Sequence, residues 1–307
     1  MESKQVLVHF FFVSLAIFFL PGQNFYQTAA LAPQKPLVRE IPFNLPPPAS
    51  YPVKTTNAPP PDLTAGSALV LDLASSVVLY EKKPNTRFAP ASTTKIMTAL
   101  VALETYELDD VLTVKTAEKE GRIMYLQQGE RMTAENLLYG LLVHSANDAA
   151  VTLAENYPGG REKFISAMNR KAKKLNMNNT HFENENGLEQ ESHYVSSIDL
   201  ARLAAYALNN PTFLDIVETK KIAVMDVEQK EVHQLENVNT LLGKIPGLYG
   251  VKTGWTENAG ECLVAVTERQ GNKIMTVVLK SEDRFGETEK LINWAFANHR
   301  WVGPPTP

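Results

Sequence analysis

Three short runs in this 307-residue chain carry side chains suited to nucleophilic attack, proton transfer or charge binding: Ser92-Thr93-Thr94-Lys95, Ser145-Ala146-Asn147 and Lys252-Thr253-Gly254. A serine hydroxyl is a weak nucleophile until a nearby base takes its proton. Residues three apart on a helix share a face, so the Lys95 amine can reach the Ser92 oxygen. To act as that base the amine must be neutral, and burial beside a second cation such as Lys252 would lower its pKa in the required direction. The start of a helix also presents unpaired backbone N–H groups, which suit the oxyanion of a tetrahedral intermediate. Each run alone has a plainer reading: Ser92 as a helix cap beside a solvated Lys95, Ser145 and Asn147 as loop and cap residues, 252–254 as a strand end. Their occurrence together favours the chemistry.

The elements that must position these residues follow from periodicity. Ala68 to Asp72 and Val77 to Tyr80 flank the Ser75-Ser76 turn as a hairpin. Ile96, Met97, Leu100, Val101 and Leu103 recur at helical spacing and predict a helix that starts at Ser92. More helices are expected over 134–143, 146–156, 160–175 and 197–208, the last opened by Ser196 and Asp199 in the manner of a capping box. Strands return at 250–255, 262–268 and 273–279, with a tight turn around Gly271, and a helix over 287–299 closes the chain. Strands at both ends around a helical middle imply one sheet assembled from both termini with helices packed on it, an α/β chain of the α+β type.

Composition narrows the function classes. The formal charge is −4 with Lys and Arg scattered, which argues against a nucleic-acid partner. The single cysteine, Cys262, has no partner for a disulfide or a thiol metal site and reads as a small buried hydrophobe on a strand. No metal or other cofactor is called for. Lys4 followed by an apolar run from Val6 to Leu20, ended by Pro21 and Gly22, fits an export signal over residues 1–30, either cleaved or kept as an N-terminal membrane anchor. An extracytoplasmic location follows. Residues 31–63 are crowded with proline and read as an extended linker. The folded domain is expected over 64–302, with order beginning near Ser67.

Ser-x-x-Lys, Ser-x-Asn and Lys-Thr-Gly in this order resemble the signature of penicillin-binding proteins and serine β-lactamases. The runs Pro90 to Leu100 and Gly250 to Gly254, the latter followed by Ala259-Gly260, are similar to those of the low-molecular-mass serine D-alanyl-D-alanine carboxypeptidases. The resemblance spans Ser67 to Trp294. It implies the β-lactamase/penicillin-binding transpeptidase-like fold, with an antiparallel sheet, and removal of the terminal D-alanine from peptidoglycan stem peptides. By that resemblance Ser92 would form the acyl-enzyme, Lys95 would be the general base and Ser145 would relay a proton to the leaving amine. Asn147 would bind the substrate amide, Lys252 and Thr253 the terminal carboxylate, and Gly254 would let the peptide lie close to the strand. The N–H groups of Ser92 and Trp255 would form the oxyanion hole, and β-lactam antibiotics would acylate the same serine.

The chain also departs from the family pattern. Asn184-Glu185-Asn186-Gly187-Leu188 lacks the proline usual before the Gly-Leu pair, which puts that loop's rigidity in question. Tyr249 stands where aspartate is common and Trp255 where histidine often follows Lys-Thr-Gly, both beside the substrate strand. The competing readings are a serine β-lactamase, whose Glu-x-x-Leu-Asn run is missing around Glu183 and Glu185, an endopeptidase or transpeptidase of the same fold, and a non-catalytic wall-binding protein. His144, beside Ser145, reads as structural.

Overall fold

The two long strand runs near the C-terminus organise the molecule because their side chains are buried on both faces. The computed structural model describes residues 50–303; the expected signal segment and most of the proline-rich run lie outside them. Strands β1 (Tyr51–Lys54), β2 (Ser67–Asp72) and β3 (Val78–Lys82) come first, followed by a 3-10 turn (Ala91–Thr94) that runs into α1 (Lys95–Leu103). The middle holds β4 (Val111–Thr113), β5 (Arg131–Thr133), α2 (Ala134–Tyr139), a π turn (Gly140–His144), α3 (Asn147–Asn156), α4 (Gly160–Lys174), α5 (Ser197–Ala207) and α6 (Pro211–Glu218). The hairpin β6 (Lys221–Met225) and β7 (Val232–Glu236) precedes β8 (Leu248–Thr256), β9 (Gly260–Arg269), β10 (Asn272–Ser281), α7 (Arg284–Asn298) and β11 (His299–Val302).

The main sheet is antiparallel with strand order β3-β2-β10-β9-β8, so strands from both ends of the chain meet at β2 and β10. Alternate residues feed two cores, as the two-residue period of a strand requires. Val264, Val266, Met275 and Val277 pack with the helical middle, whereas Leu263, Ala265, Ile274 and Val278 pack with Leu291, Ile292 and Ala295 of α7. That sandwiching explains why β9 and β10 read as continuous apolar runs. Cys262 is buried on β9, with its thiol pushed up to about 11 by burial.

Several expected boundaries are corrected. The spacer does not extend unstructured to Leu63, because residues 51–54 form β1 and pair with β11. Ser92 does not cap an α-helix: it lies inside the 3-10 turn, after Ala91 at a positive φ of 48°. The helix expected over 134–143 changes to a π turn at Gly140, and the Ala146 N–H donates back to Gly140 O at 2.9 Å. That wide turn ends at Ser145 in the left-handed region, which aims the next helix in a new direction. Ser196 does cap α5 through the Asp199 N–H, but the Asp199 carboxylate turns away to Asn179 N and Arg202 instead of closing the box.

Candidate active site

The Ser92 turn is fixed from both sides. Thr93 donates from its N–H and, at 2.6 Å, from its hydroxyl to Pro90 O, and Thr94 Oγ1 bonds His193 Nε2 at 3.0 Å. In a 3-10 turn residues three apart eclipse, which brings Lys95 directly under Ser92. Lys95 Nζ lies 3.0 Å from Ser92 Oγ, 2.6 Å from Asn147 Oδ1 and 2.7 Å from Asn186 O, and its side chain is wholly buried. An ammonium uses all three N–H bonds on these partners. Once neutral, the amine keeps two N–H bonds for the amide and carbonyl oxygens, and its lone pair then faces the Ser92 hydroxyl. Burial lowers Lys95 to about 7, against the opposing pull of Glu185 and Asp148. The main agent is therefore desolvation, the burial expected from sequence, and the second cation expected beside it is not among the causes.

Ser145, in the left-handed region at φ 64°, and Asn147, the first residue of α3, both line the cleft. Asn147 bridges the site: Oδ1 accepts from Lys95, and Nδ2 donates to Glu120 O at 2.8 Å. The wall beside it is held by Asp148, whose carboxylate accepts from the N–H groups of Met124 and Leu126 at 3.0 Å. That grip displays Arg122 and the exposed Tyr125 towards the opening. A buried pair, His233 Nε2 with Glu130 Oε1 at 2.7 Å and His233 Nδ1 with Met124 O at 2.8 Å, ties the same segment to β7.

Strand β8 forms the opposite wall and is an edge of the sheet. An edge strand offers free main-chain groups to an extended peptide. Lys252 and Thr253 are buried, and Lys252 Nζ donates to Thr253 O at 3.1 Å. Burial, then the Lys95, Arg284 and Arg122 cations, push Lys252 well below the ordinary lysine range. Gly254 is favoured by proximity, since a Cβ there would sit 3.0 Å from Ala91 Cβ and 3.1 Å from Ser92 N, tight enough to push on the Ser92 turn. Trp255, 63% exposed, stands at the rim.

All eight residues expected from sequence, Ser92, Lys95, Ser145, Asn147, Lys252, Thr253, Gly254 and Trp255, thus gather around one cleft of about 1150 Å³ or directly beneath it. Tyr249 does not. It lies towards the other end of β8, where its hydroxyl reaches Glu268 Oε2 at 3.3 Å. His144 lines the cleft, with burial and then Arg122 lowering its pKa. Sequence reasoning missed two contributors. Arg284, the first residue of α7, donates to Gly254 O at 2.8 Å and lies on the cleft beside Thr253. Gly187, at φ 89°, packs its backbone against the Ser92 turn, where any Cβ would overlap Ala91 O. The Gly-Leu pair at 187–188 was a signal for the second; nothing in the sequence marked the first. Among the described residues no cluster of His, Cys, Asp or Glu could hold a metal ion.

A family model described as D-alanyl-D-alanine carboxypeptidase matches residues 53–283. A D-alanyl-D-alanine carboxypeptidase of Bacillus subtilis is 35% identical over 245 residues, 76% of this chain and 63% of that protein. The chain therefore spans less than two thirds of that relative's length. The solved Streptomyces K15 DD-transpeptidase superimposes with a TM-score of 0.74 at 32% identity, covering 78% of this chain and 100% of that one. Penicillin-binding protein D2 of Listeria monocytogenes, solved in its ampicillin-bound form, gives 0.69 at 31% identity over 78% of this chain and 100% of that chain.

Proposed function

Because the chain belongs to the D-alanyl-D-alanine carboxypeptidase family, we propose that it removes the terminal D-alanine of peptidoglycan stem peptides through an acyl-enzyme on Ser92. The observation that carries this reading is the buried Lys95 amine, held 3.0 Å from Ser92 Oγ by two fixed acceptors. A peptide laid along the edge of β8 places its carboxylate among Lys252, Thr253 and Arg284. An anion there favours the charged form of Lys252, against the burial that disfavours it. Ser92 Oγ attacks the penultimate carbonyl carbon while Lys95 accepts the hydroxyl proton. The oxyanion lies towards the N–H groups of Ser92 and Trp255. Collapse breaks the C–N bond, with the proton passing through Ser145 to the departing D-alanine amine, and water then hydrolyses the ester. In this scheme Asn147 holds Lys95 and would release Glu120 O to meet the substrate amide.

A β-lactam presents a strained amide and a carboxylate to the same groups, which makes penicillins acylating ligands in this reading. Transfer to a second peptide amine, the reaction named for the Streptomyces relative, would use the same acyl-enzyme. A β-lactamase would need a carboxylate that activates deacylating water, and Glu185 is instead buried against Arg161. Residues 64–302 are proposed as the catalytic domain, 31–63 as a linker that carries β1 at 51–54, and 1–30 as the export signal or anchor of an enzyme working on the wall.

A labelled penicillin tests the assignment. The parent protein is expected to form a covalent adduct on Ser92 that decays slowly, and Ser92→Ala to form none; release of D-alanine from a pentapeptide separates hydrolysis from mere binding. An undiminished adduct in Ser92→Ala would overturn the assignment.

A further inference from the structure

The loop behind Lys95 carries a carboxylate that this reaction scheme leaves unused. Glu185 is wholly buried, a state glutamate seldom adopts without a partner. Its main-chain oxygen accepts from Thr98 Oγ1 at 2.6 Å, one turn along from Lys95, and the next carbonyl, Asn186 O, is the one that accepts from Lys95 Nζ. One carboxylate oxygen, Oε2, takes Arg161 Nε at 2.9 Å, while Oε1 is buried without a hydrogen-bond partner. Arg161 reaches in from α4 and is itself about half exposed on the cleft, so its charge is shared with solvent. The result is a buried carboxylate with one oxygen unpartnered, on the loop whose next carbonyl holds the lysine, in a low-dielectric layer where charge acts strongly. Proline, usual in the family at this position, would supply no charge.

We propose that Glu185 is the charge-setting residue for Lys95, with Arg161 fixing where the carboxylate sits. The inference rests on Lys95 being the base for Ser92. The other charged groups facing the lysine are Asp148 from α3 and Lys252 from β8, with Arg122 and Arg284 beyond Lys252. Asp148 spends its oxygens on three main-chain N–H groups, from Met124, Leu126 and Ala149, which leaves Glu185 as the freer of the two anions. Glu185 is also the larger of the two pulls that oppose burial. Its use is to keep a deeply buried amine basic enough to take a hydroxyl proton, since a base made too weak by desolvation transfers protons slowly.

The test is the rate of acylation by a labelled penicillin, measured on the full chain from acidic to alkaline pH. Removing the anion lowers the lysine's pKa, so Glu185→Gln, which keeps the shape and an oxygen for Arg161, should move the acid limb to lower pH by about half a unit or more. Its plateau rate should also fall, because the base is weaker. Arg161→Lys keeps the counter-charge and should leave the midpoint in place. An acid limb in Glu185→Gln within about 0.2 units of the parent overturns the inference. So does an equal displacement in Arg161→Lys, which would mean that loop packing rather than charge moved it. A parent chain that shows no adduct refutes the Ser92–Lys95 assignment itself and takes this inference with it.

Discussion

Replacing Gly187 with alanine is the sharpest test of how the nucleophile turn is held. The glycine sits at φ 89°, a region that costs an L-residue about 1–2 kcal/mol. The new Cβ would also overlap Ala91 O and lie 3.0 Å from Ser92 N; both are main-chain atoms that no rotamer change can move aside. Overpacking of that kind costs about 1–3 kcal/mol, for a combined loss of about 2–5 kcal/mol. In a domain of this size that lowers Tm by roughly 4–20 °C. Relief requires the Ser92 turn or the 184–188 loop to move by an amount comparable to the overlap, and a misplacement of about 1 Å can slow chemistry ~100-fold. Acylation by labelled penicillin, followed beside thermal unfolding, reads both effects. Gly271→Ala is the control: it has φ 77° but nothing within 4 Å of the new Cβ, so it bears the backbone cost without the clash. It should unfold slightly earlier and acylate at the parental rate. If Gly187→Ala acylates within about threefold of the parent, or Gly271→Ala slows as much, the geometric argument is refuted.

Arg284→Ala should raise KM for a peptide ending in a free carboxylate by about 10–100-fold, the range expected for losing one charge-assisted contact, and should leave a C-terminally amidated analogue almost unchanged. Steady-state kinetics on the two peptides decides it. His233→Ala removes both buried ring contacts, to Glu130 Oε1 and to Met124 O, at a cost of about 1–3 kcal/mol that denaturant titration would detect. Because that residue ties down the 124–130 segment and not the nucleophile, penicillin acylation at low temperature should survive.

The residues proposed to react were legible in the sequence as three short local runs, and the structure brings those runs to one cleft. A serine three residues before a lysine can meet it across a helical turn, and the presence of Ser145-Ala146-Asn147 and Lys252-Thr253-Gly254 in the same chain gave that pair its weight. What stayed hidden depends on distant pairing. Tyr51-Pro52-Val53-Lys54 contains a proline and is mostly exposed, and it becomes a strand only because residues 299–302 arrive beside it. The β6–β7 hairpin buries only Val224, His233 and Leu235 among its ten residues, too weak an alternation to stand out. Arg284 gains its place from the way α7 returns to β8, which no local pattern encodes. Glu185 was noticed as a departure from the family, but its burial, and hence its charge on Lys95, required the fold.

The pairing of β2 with β10 joins segments about 200 residues apart. Such contacts are slow to form, because the entropy of closing so long a loop must be met before the contact is made. They also impose an order in time. A chain synthesised or threaded from its N-terminus presents Ser92 and Lys95 early, yet lacks the wall that carries Lys252 and the arginine that grips it until the last strands and α7 have emerged. In the proposed scheme Ser92 would thus be silent by topology until the sheet closes.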